Sequence, residues 1–188
     1  ILSGLVGSEM CIRDRKRGWS SLAWDMPGYG TSPALVAMDF DGLSDALNRM
    51  LSDKGPAILV GHSMGGMVAL QHMARHPDQV AGLVLAATSP AFGQADGDFQ
   101  KAFIADRLAP LKAGKRMADV AEGLLPKLCA PGYAGAGLAL AQACMSSVTP
   151  EAYERALHAL VRFEQRAVLP HIAAVSYTHL RAHETRED

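Results

Sequence analysis

Apolar positions between residues 16 and 89 alternate between two rhythms. Ser20-Ser21-Leu22-Ala23-Trp24 reads as a short buried strand, and the turn-rich stretch DMPGYGTS at 25–32 closes it. Phe40, Leu43, Leu47 and the Met50/Leu51 pair then recur at helical spacing, which predicts an amphipathic helix over 38–53 stopped by Gly55-Pro56. The apolar run 57–60 predicts a second strand, and the small apolar residues from Met64 to Arg75 a second helix. His76-Pro77 ends that helix, because proline has no N–H to continue it and disfavours helix in the residue before it. Val80 to Leu85 predicts a third strand. Strands alternating with helices at this spacing mean βαβ units and a parallel sheet, an α/β fold class.

The texture changes after Ser89-Pro90. Residues 98–129 and 136–165 are rich in Ala and Leu and read as helical, with breaks expected at Pro110, Gly114, Gly123, Pro126, Pro131, Gly132, Gly135, Gly137 and Pro150. A helical insertion after a strand of a parallel sheet suggests a lid over the C-terminal strand edge, where open α/β sheets bind ligands. The competing expectation is that these helices pack on the sheet flank. Phe99, Phe103, Leu108, Leu111, Met117, Leu124, Leu128, Met145 and Phe163 are its large apolar residues, and helical packing needs most of them for core rather than for substrate.

Bulk properties narrow the classes. A chain of 188 residues suits one domain with a sizeable core. A formal net charge of −1 argues against a nucleic-acid footprint. No apolar run approaches the roughly 18 residues of a membrane span, and no basic, then apolar, leader is evident. Cys11, Cys129 and Cys144 have neither metal-ligand spacing nor a disulfide framework, so reduced thiols in a cytoplasmic protein are expected.

The chemistry sits in VGHSMGG, residues 60–66. A G-x-S-x-G sequence that follows a predicted strand and opens a predicted helix has the context of a nucleophile elbow. Ser63 would stand on a strained turn, with Gly61 and Gly65 as the residues that fit two positions either side of it. The helix starting behind the serine would aim free N–H groups at a developing oxyanion, that of Met64 first. His62 adjoins Ser63, but at a sharp turn its side chain would point away, so it is expected to pack rather than act as base. Gly66 completes the turn. A glycine-rich turn without catalysis is the bland alternative. Phosphate binding fits less well, since no Lys follows the glycines and no G-x-G-x-x-G is present.

These stretches resemble the α/β-hydrolase fold superfamily. DMPGYGTS (25–32), VGHSMGG (60–66) and HPDQVAGLVL (76–85) resemble, in order, its loop after the strand preceding the elbow strand, its nucleophile motif, and its next helix end and strand. The region from PAFGQADGDFQKAF (90–103) to ALVRFEQRAVLPHI (159–172) is similar, more loosely, to the enol-lactonase-like branch, as in 3-oxoadipate enol-lactonases. The resemblance implies Ser63 as nucleophile, the Met64 N–H as oxyanion donor and Asp25 as a loop-ordering acid. It also implies a small ester or lactone as substrate, with no metal and no organic cofactor. C–C hydrolases, cofactor-free haloperoxidases and acyltransferases share the elbow, and fold analogy does not separate them. A non-catalytic ligand-binding member is the reading from another class.

In such a family the acid and then the histidine follow the serine. Here LPHIAA (169–174) resembles the lead-in to the strand before the acid, and the text then changes. No strand with an acid is expected after it. His171 comes too early, His179 and His183 fall in the altered tail, and Asp96 or Asp98 are weak substitutes. The usual upstream oxyanion loop would precede residue 16. Residues 1–15 and 175–188 resemble translated sequencing-adapter read-through. The expected organisation is therefore a truncated α/β-hydrolase fold: tail 1–15, partial core 16–89, helical lid 90–168, strand lead-in 169–174 and tail 175–188. The catalytic His and acid are expected to be absent, and the chain as written inactive and poorly soluble.

Overall fold

The computed structural model describes residues 20–93, 97–172 and the strand Val175–His179. The expected tail 1–15 and most of the tail 175–188 lie outside the described residues. The chain divides into two compact units. One joins the stretch ending at Leu35 to Lys101–Arg155, and the other joins Val36–Gln100 to the stretch from Ala156 onward.

The second unit holds the sheet. Helix α1 (Phe40–Leu51) begins at Asp39, whose carboxylate accepts the Gly42 N–H at 2.7 Å and satisfies one orphan donor of the first turn. Strand β1 (Ala57–His62) leads into helix α2 (Met64–Arg75), a short 3₁₀ turn (Pro77–Gln79) and strand β2 (Val80–Ala86). β1 and β2 run parallel, with Leu59 opposite Leu83 and His62 opposite Ala86, and the register slips once between Ala57 and Ile58. The predicted strand–helix–strand pattern is therefore present within two residues of its expected limits.

α2 is buried along most of its length, from Met64 through Met73, and packs on α1, β1 and β2. Leu43, Val68, Leu70 and Leu83 are almost fully buried and form the centre of this core. Arg75 fixes the far end of α2 to α1 through the Asp45 carboxylate (2.8 Å) and the Asp41 carbonyl (2.7 Å). The opposite face of β1 is open: Ile58 is 48 % and Val60 72 % exposed.

The structure differs from the sequence pattern in two places. First, the stretch after residue 174, which reads as tail, carries a strand, though one with no acidic residue. β3 (Val175–His179) pairs parallel with β2, in the order β1-β2-β3, with Gly82 opposite Val175 and Ala86 opposite His179. Val, Tyr and Thr in this stretch are good strand formers, and β2 offers an unpaired ladder. Second, residues 20–24 form no strand: they have no ladder, and Leu22 is 56 % exposed. An apolar run becomes a strand only when another strand pairs with it, and among the described residues none does.

The first unit contains that segment, its loop and most of the helices. α3 (Asp98–Lys112) begins in the second unit and continues into this one, followed by α4 (Met117–Leu128) and α5 (Ala136–Ser146). α6 (Pro150–Leu160) begins here and ends in the second unit. In α4, Met117, Val120, Ala121 and Leu125 are buried on one face. The expected breaks at Pro110, Gly123, Pro126 and Gly137 do not occur, since each of these residues lies inside a helix. Both prolines lie near the C-terminal ends of their helices. The chain does turn at the expected Gly114 and Gly132, both at positive φ, where glycine carries no Cβ penalty. Of the insertion's apolar residues, Leu108, Met117 and Phe163 are buried, whereas Phe99 and Leu128 are exposed. Phe163 belongs to the sheet unit, where its ring lies 4.4 Å from that of Phe40.

Candidate active site

Ser63 sits where β1 gives way to α2, with φ 50° and ψ −121°. A non-glycine residue at positive φ is strained, and such strain persists only where the surroundings over-determine it. Here they do. The Ser63 N–H donates to the Ala86 carbonyl at 2.9 Å, extending the β1–β2 ladder by one rung. The Ser63 carbonyl accepts the N–H groups of Gly66 (2.9 Å) and Met67 (3.3 Å), which starts the helix. Ser63 occupies the N-cap position without using its side chain as a cap. The hydroxyl is exposed and has no hydrogen bond among the described residues.

The two bonds from Gly66 and Met67 account for two of the helix's first donors. The N–H groups of Met64 and Gly65 are left without an acceptor among the described residues, directly behind the serine. The first turn of α2 carries no acidic residue, while His72 and Arg75 sit in its last turn. The positive end of the helix dipole is thus uncompensated at Ser63. Deeper in the same helix, His72 is fully buried, with Nδ1 3.4 Å from Ser44 Oγ. Burial, then the neighbouring His76, holds its pKa below the usual imidazole value.

The glycines divide differently from the sequence expectation. A Cβ on Gly61 would lie 2.5 Å from the Gly65 carbonyl oxygen and from the Gly66 nitrogen and Cα. Gly61 is therefore required by close approach of the helix. A Cβ on Gly65 would meet nothing within 4 Å, so the second constraint does not fall there. It falls on Gly66, where a Cβ would lie 2.7 Å from Thr88 Cγ2. Thr88 had no place in the sequence reading. Its hydroxyl donates to the Ser63 carbonyl at 2.7 Å. The available signal was the parallel pairing itself, which puts whatever follows β2 beside whatever follows β1.

Other expected residues are placed as follows. His62 ends β1 and is exposed, on the strand face shared by Ile58 and Val60. In the first unit, Asp25 stands at the start of a loop closed by Tyr29 N–H to Met26 O and Ser32 N–H to Tyr29 O, both 2.9 Å. Gly30, at φ 54°, passes so close to the Asp25 carboxylate that a Cβ would lie 2.8 Å from its Cγ. Tyr29 is buried, which pushes its phenol up to about 12. His171 is exposed in a 3₁₀ turn (Arg166–His171), and β3 brings the His179 backbone to the C-terminal edge of the sheet, opposite Ala86. Asp98 starts α3 on the surface. Asp96 and His183 lie outside the described residues.

Cys129 and Cys144 are free, half-buried thiols, and Cys11 lies outside the described residues. Among the described residues no group of three or more His, Cys, Asp or Glu side chains could hold a metal ion, and no helix is long and apolar enough to cross a membrane. A cavity of about 310 Å³ opens in the sheet unit between the start of α1, Gln71 and the 158–165 stretch. No elbow residue lines it, so it is not where Ser63 would act.

A pimeloyl-[acyl-carrier protein] methyl ester esterase of Chromobacterium violaceum is 48 % identical over 68 residues, 36 % of this chain and 26 % of that protein. The corresponding esterase of Neisseria meningitidis serogroup C is 31 % identical over 169 residues, 82 % of this chain and 60 % of that protein. The chain thus spans under two thirds of the length of either relative. The enol-lactonase from Burkholderia xenovorans LB400 superposes with a TM-score of 0.67 at 20 % identity, over 82 % of this chain and 59 % of that one, a likeness of fold. The sequence profile of the alpha/beta hydrolase family matches residues 9–183, nearly the whole chain, and the chain belongs to that family.

Proposed function

We propose that this chain carries the nucleophile half of a serine hydrolase acting on small esters or lactones. The observation that carries the reading is Ser63 at φ 50° between β1 and α2, its hydroxyl exposed and used for no cap. Ser63 Oγ attacks the acyl carbonyl carbon, and the leaving alkoxide takes up the proton that the serine gives up. The Met64 N–H, at the positive end of α2, stabilises the oxyanion as it forms, and water then hydrolyses the acyl-serine ester. The methyl ester esterases among the relatives and the enol-lactonase fold neighbour support an acyl substrate.

A serine needs a base to be a nucleophile at neutral pH, and none of the described groups bonds to Ser63 Oγ. Ester turnover is therefore proposed for the whole protein, and the chain as written is expected to be inactive. The test is to resequence the source DNA across residues 15 and 175 and express the longest reading frame. Hydrolysis of short p-nitrophenyl esters, abolished by Ser63→Ala, with a fluorophosphonate adduct on the Ser63 peptide, is the expected result. Turnover that survives Ser63→Ala refutes the reading.

A further inference from the structure

We propose that Thr88 is a positioning residue that sets the direction of the Ser63 side chain, an inference that rests on Ser63 being the nucleophile. The last pairing of the β1–β2 ladder is His62 with Ala86, so the residues after each strand emerge side by side. Ala87 takes a positive φ of 47°, which turns the chain back at once. That turn lays Thr88 against the first turn of α2, where its side chain sits in the space left by the missing Cβ of Gly66.

From there Thr88 completes a grip on one strained residue. The Ser63 N–H is held by the Ala86 carbonyl at 2.9 Å, and the Ser63 carbonyl by the Thr88 hydroxyl at 2.7 Å. Both partners come from one three-residue stretch at the end of β2. The helical bonds to the Ser63 carbonyl from Gly66 and Met67 are longer, at 2.9 and 3.3 Å, and would also form around a relaxed N-cap. Among the described residues only this pair, from the end of β2 and the turn after it, holds both the N–H and the carbonyl of Ser63 from outside α2. Fixing φ and ψ fixes where the Cα–Cβ bond points, from which the staggered χ1 positions place Oγ, and where the Met64 N–H lies relative to that bond. The residue type follows: the hydroxyl supplies the donor, and the methyl fills the gap over Gly66.

Two near-isosteric changes separate these duties. Thr88→Val keeps the shape and loses the donor, while Thr88→Ser keeps the donor and loses the methyl. The probe is a thiol placed by Ser63→Cys, since a thiol reacts without a base and its pKa reports its distance and direction from the helix terminus. Iodoacetamide alkylation is followed against pH on the peptide containing position 63, by mass spectrometry, so that Cys11, Cys129 and Cys144 do not contribute. Far-UV circular dichroism and thermal midpoints confirm that each variant is folded under the assay conditions.

With Thr88 in place, the thiol should titrate below the ordinary value of about 8.5. Adding Thr88→Val should move the midpoint back toward that value and slow alkylation at neutral pH roughly threefold or more. Adding Thr88→Ser should leave the profile unchanged. If the Val and Ser variants both titrate like the parent, Thr88 only packs against Gly66 and the proposal fails while the elbow stands. If the thiol titrates at the ordinary value even beside Thr88, α2 is not aimed at position 63, and the nucleophile reading falls together with the proposal.

Discussion

Replacing Gly61 by alanine tests the central geometry most directly, with Gly65→Ala as its partner. The added Cβ at position 61 would lie 2.5 Å from three backbone atoms, 0.5 Å inside the 3.0 Å limit that Cβ atoms respect. Those atoms belong to Gly65 and Gly66, which cannot swing aside as a side chain would. They are pinned through the Gly66 N–H to the Ser63 carbonyl, and Ser63 in turn to Ala86. Overpacking costs about 1–3 kcal/mol in ordinary cores, and an obstacle made of pinned backbone belongs at the upper end. Alanine at position 65 enters open space inside a helix, where it should stabilise by roughly 0.5–1 kcal/mol over glycine. The two variants should thus differ by about 3–4 kcal/mol and in sign relative to the parent. With a urea slope of about 1–3 kcal/mol per molar, their unfolding midpoints should separate by more than about 1 M. Urea titration followed by circular dichroism measures this. Equal losses in both variants, or a Gly61→Ala midpoint at the parent's value, would show that close approach of the helix is not what keeps position 61 glycine.

Other outcomes follow from groups away from the turn. His72 has a depressed folded-state pKa, so the unfolded chain binds more protons once pH drops below its ordinary value of 6.5. Stability is then complete above that value and falls as pH decreases through it. The urea midpoint should drop between about pH 7.5 and about pH 5.5, and His72→Gln should flatten the slope. An unchanged slope would place the pH dependence elsewhere. Asp39→Ala removes the acceptor for the Gly42 N–H and should cost about 1 kcal/mol, read as a lower thermal midpoint. Val60→Lys puts a charge on the exposed face of the outermost described strand and should raise the soluble yield on expression. Val36→Lys, at a still more exposed site outside any strand, should not; equal gains would mean that net charge alone matters.

Local chemistry was legible in the sequence wherever one segment decides the outcome. The 3.6-residue recurrence of Phe40, Leu43 and Leu47 needed only the helix's own buried face, and the turn at Ser63 only its flanking glycines and apolar run. What depends on a partner strand was not legible. Residues 20–24 have strand composition and no ladder among the described residues, whereas Val175–His179 look like tail until β2 offers them an edge. The same limit explains the glycines. Which of Gly65 and Gly66 lacks room is decided by Thr88, 22 residues beyond Gly66 and beside it only through the parallel register. Phe163 reads as part of a helical insertion, but its ring lies tilted against that of Phe40 and it packs in the sheet unit.

The burial of α2 also bears on how this protein can diverge. Most helices have a solvent face on which substitutions accumulate almost freely, so their sequences drift quickly. From Gly66 through Met73 every residue of α2 is buried, and that stretch has no such face. Neutral change is confined to positions such as Ala74 and Arg75, while on α1 it has the whole outward side. Among natural variants, the segment from Gly66 to Met73 should be the slowest clock among the described helices, and the outward face of α1, one helix away, among the fastest.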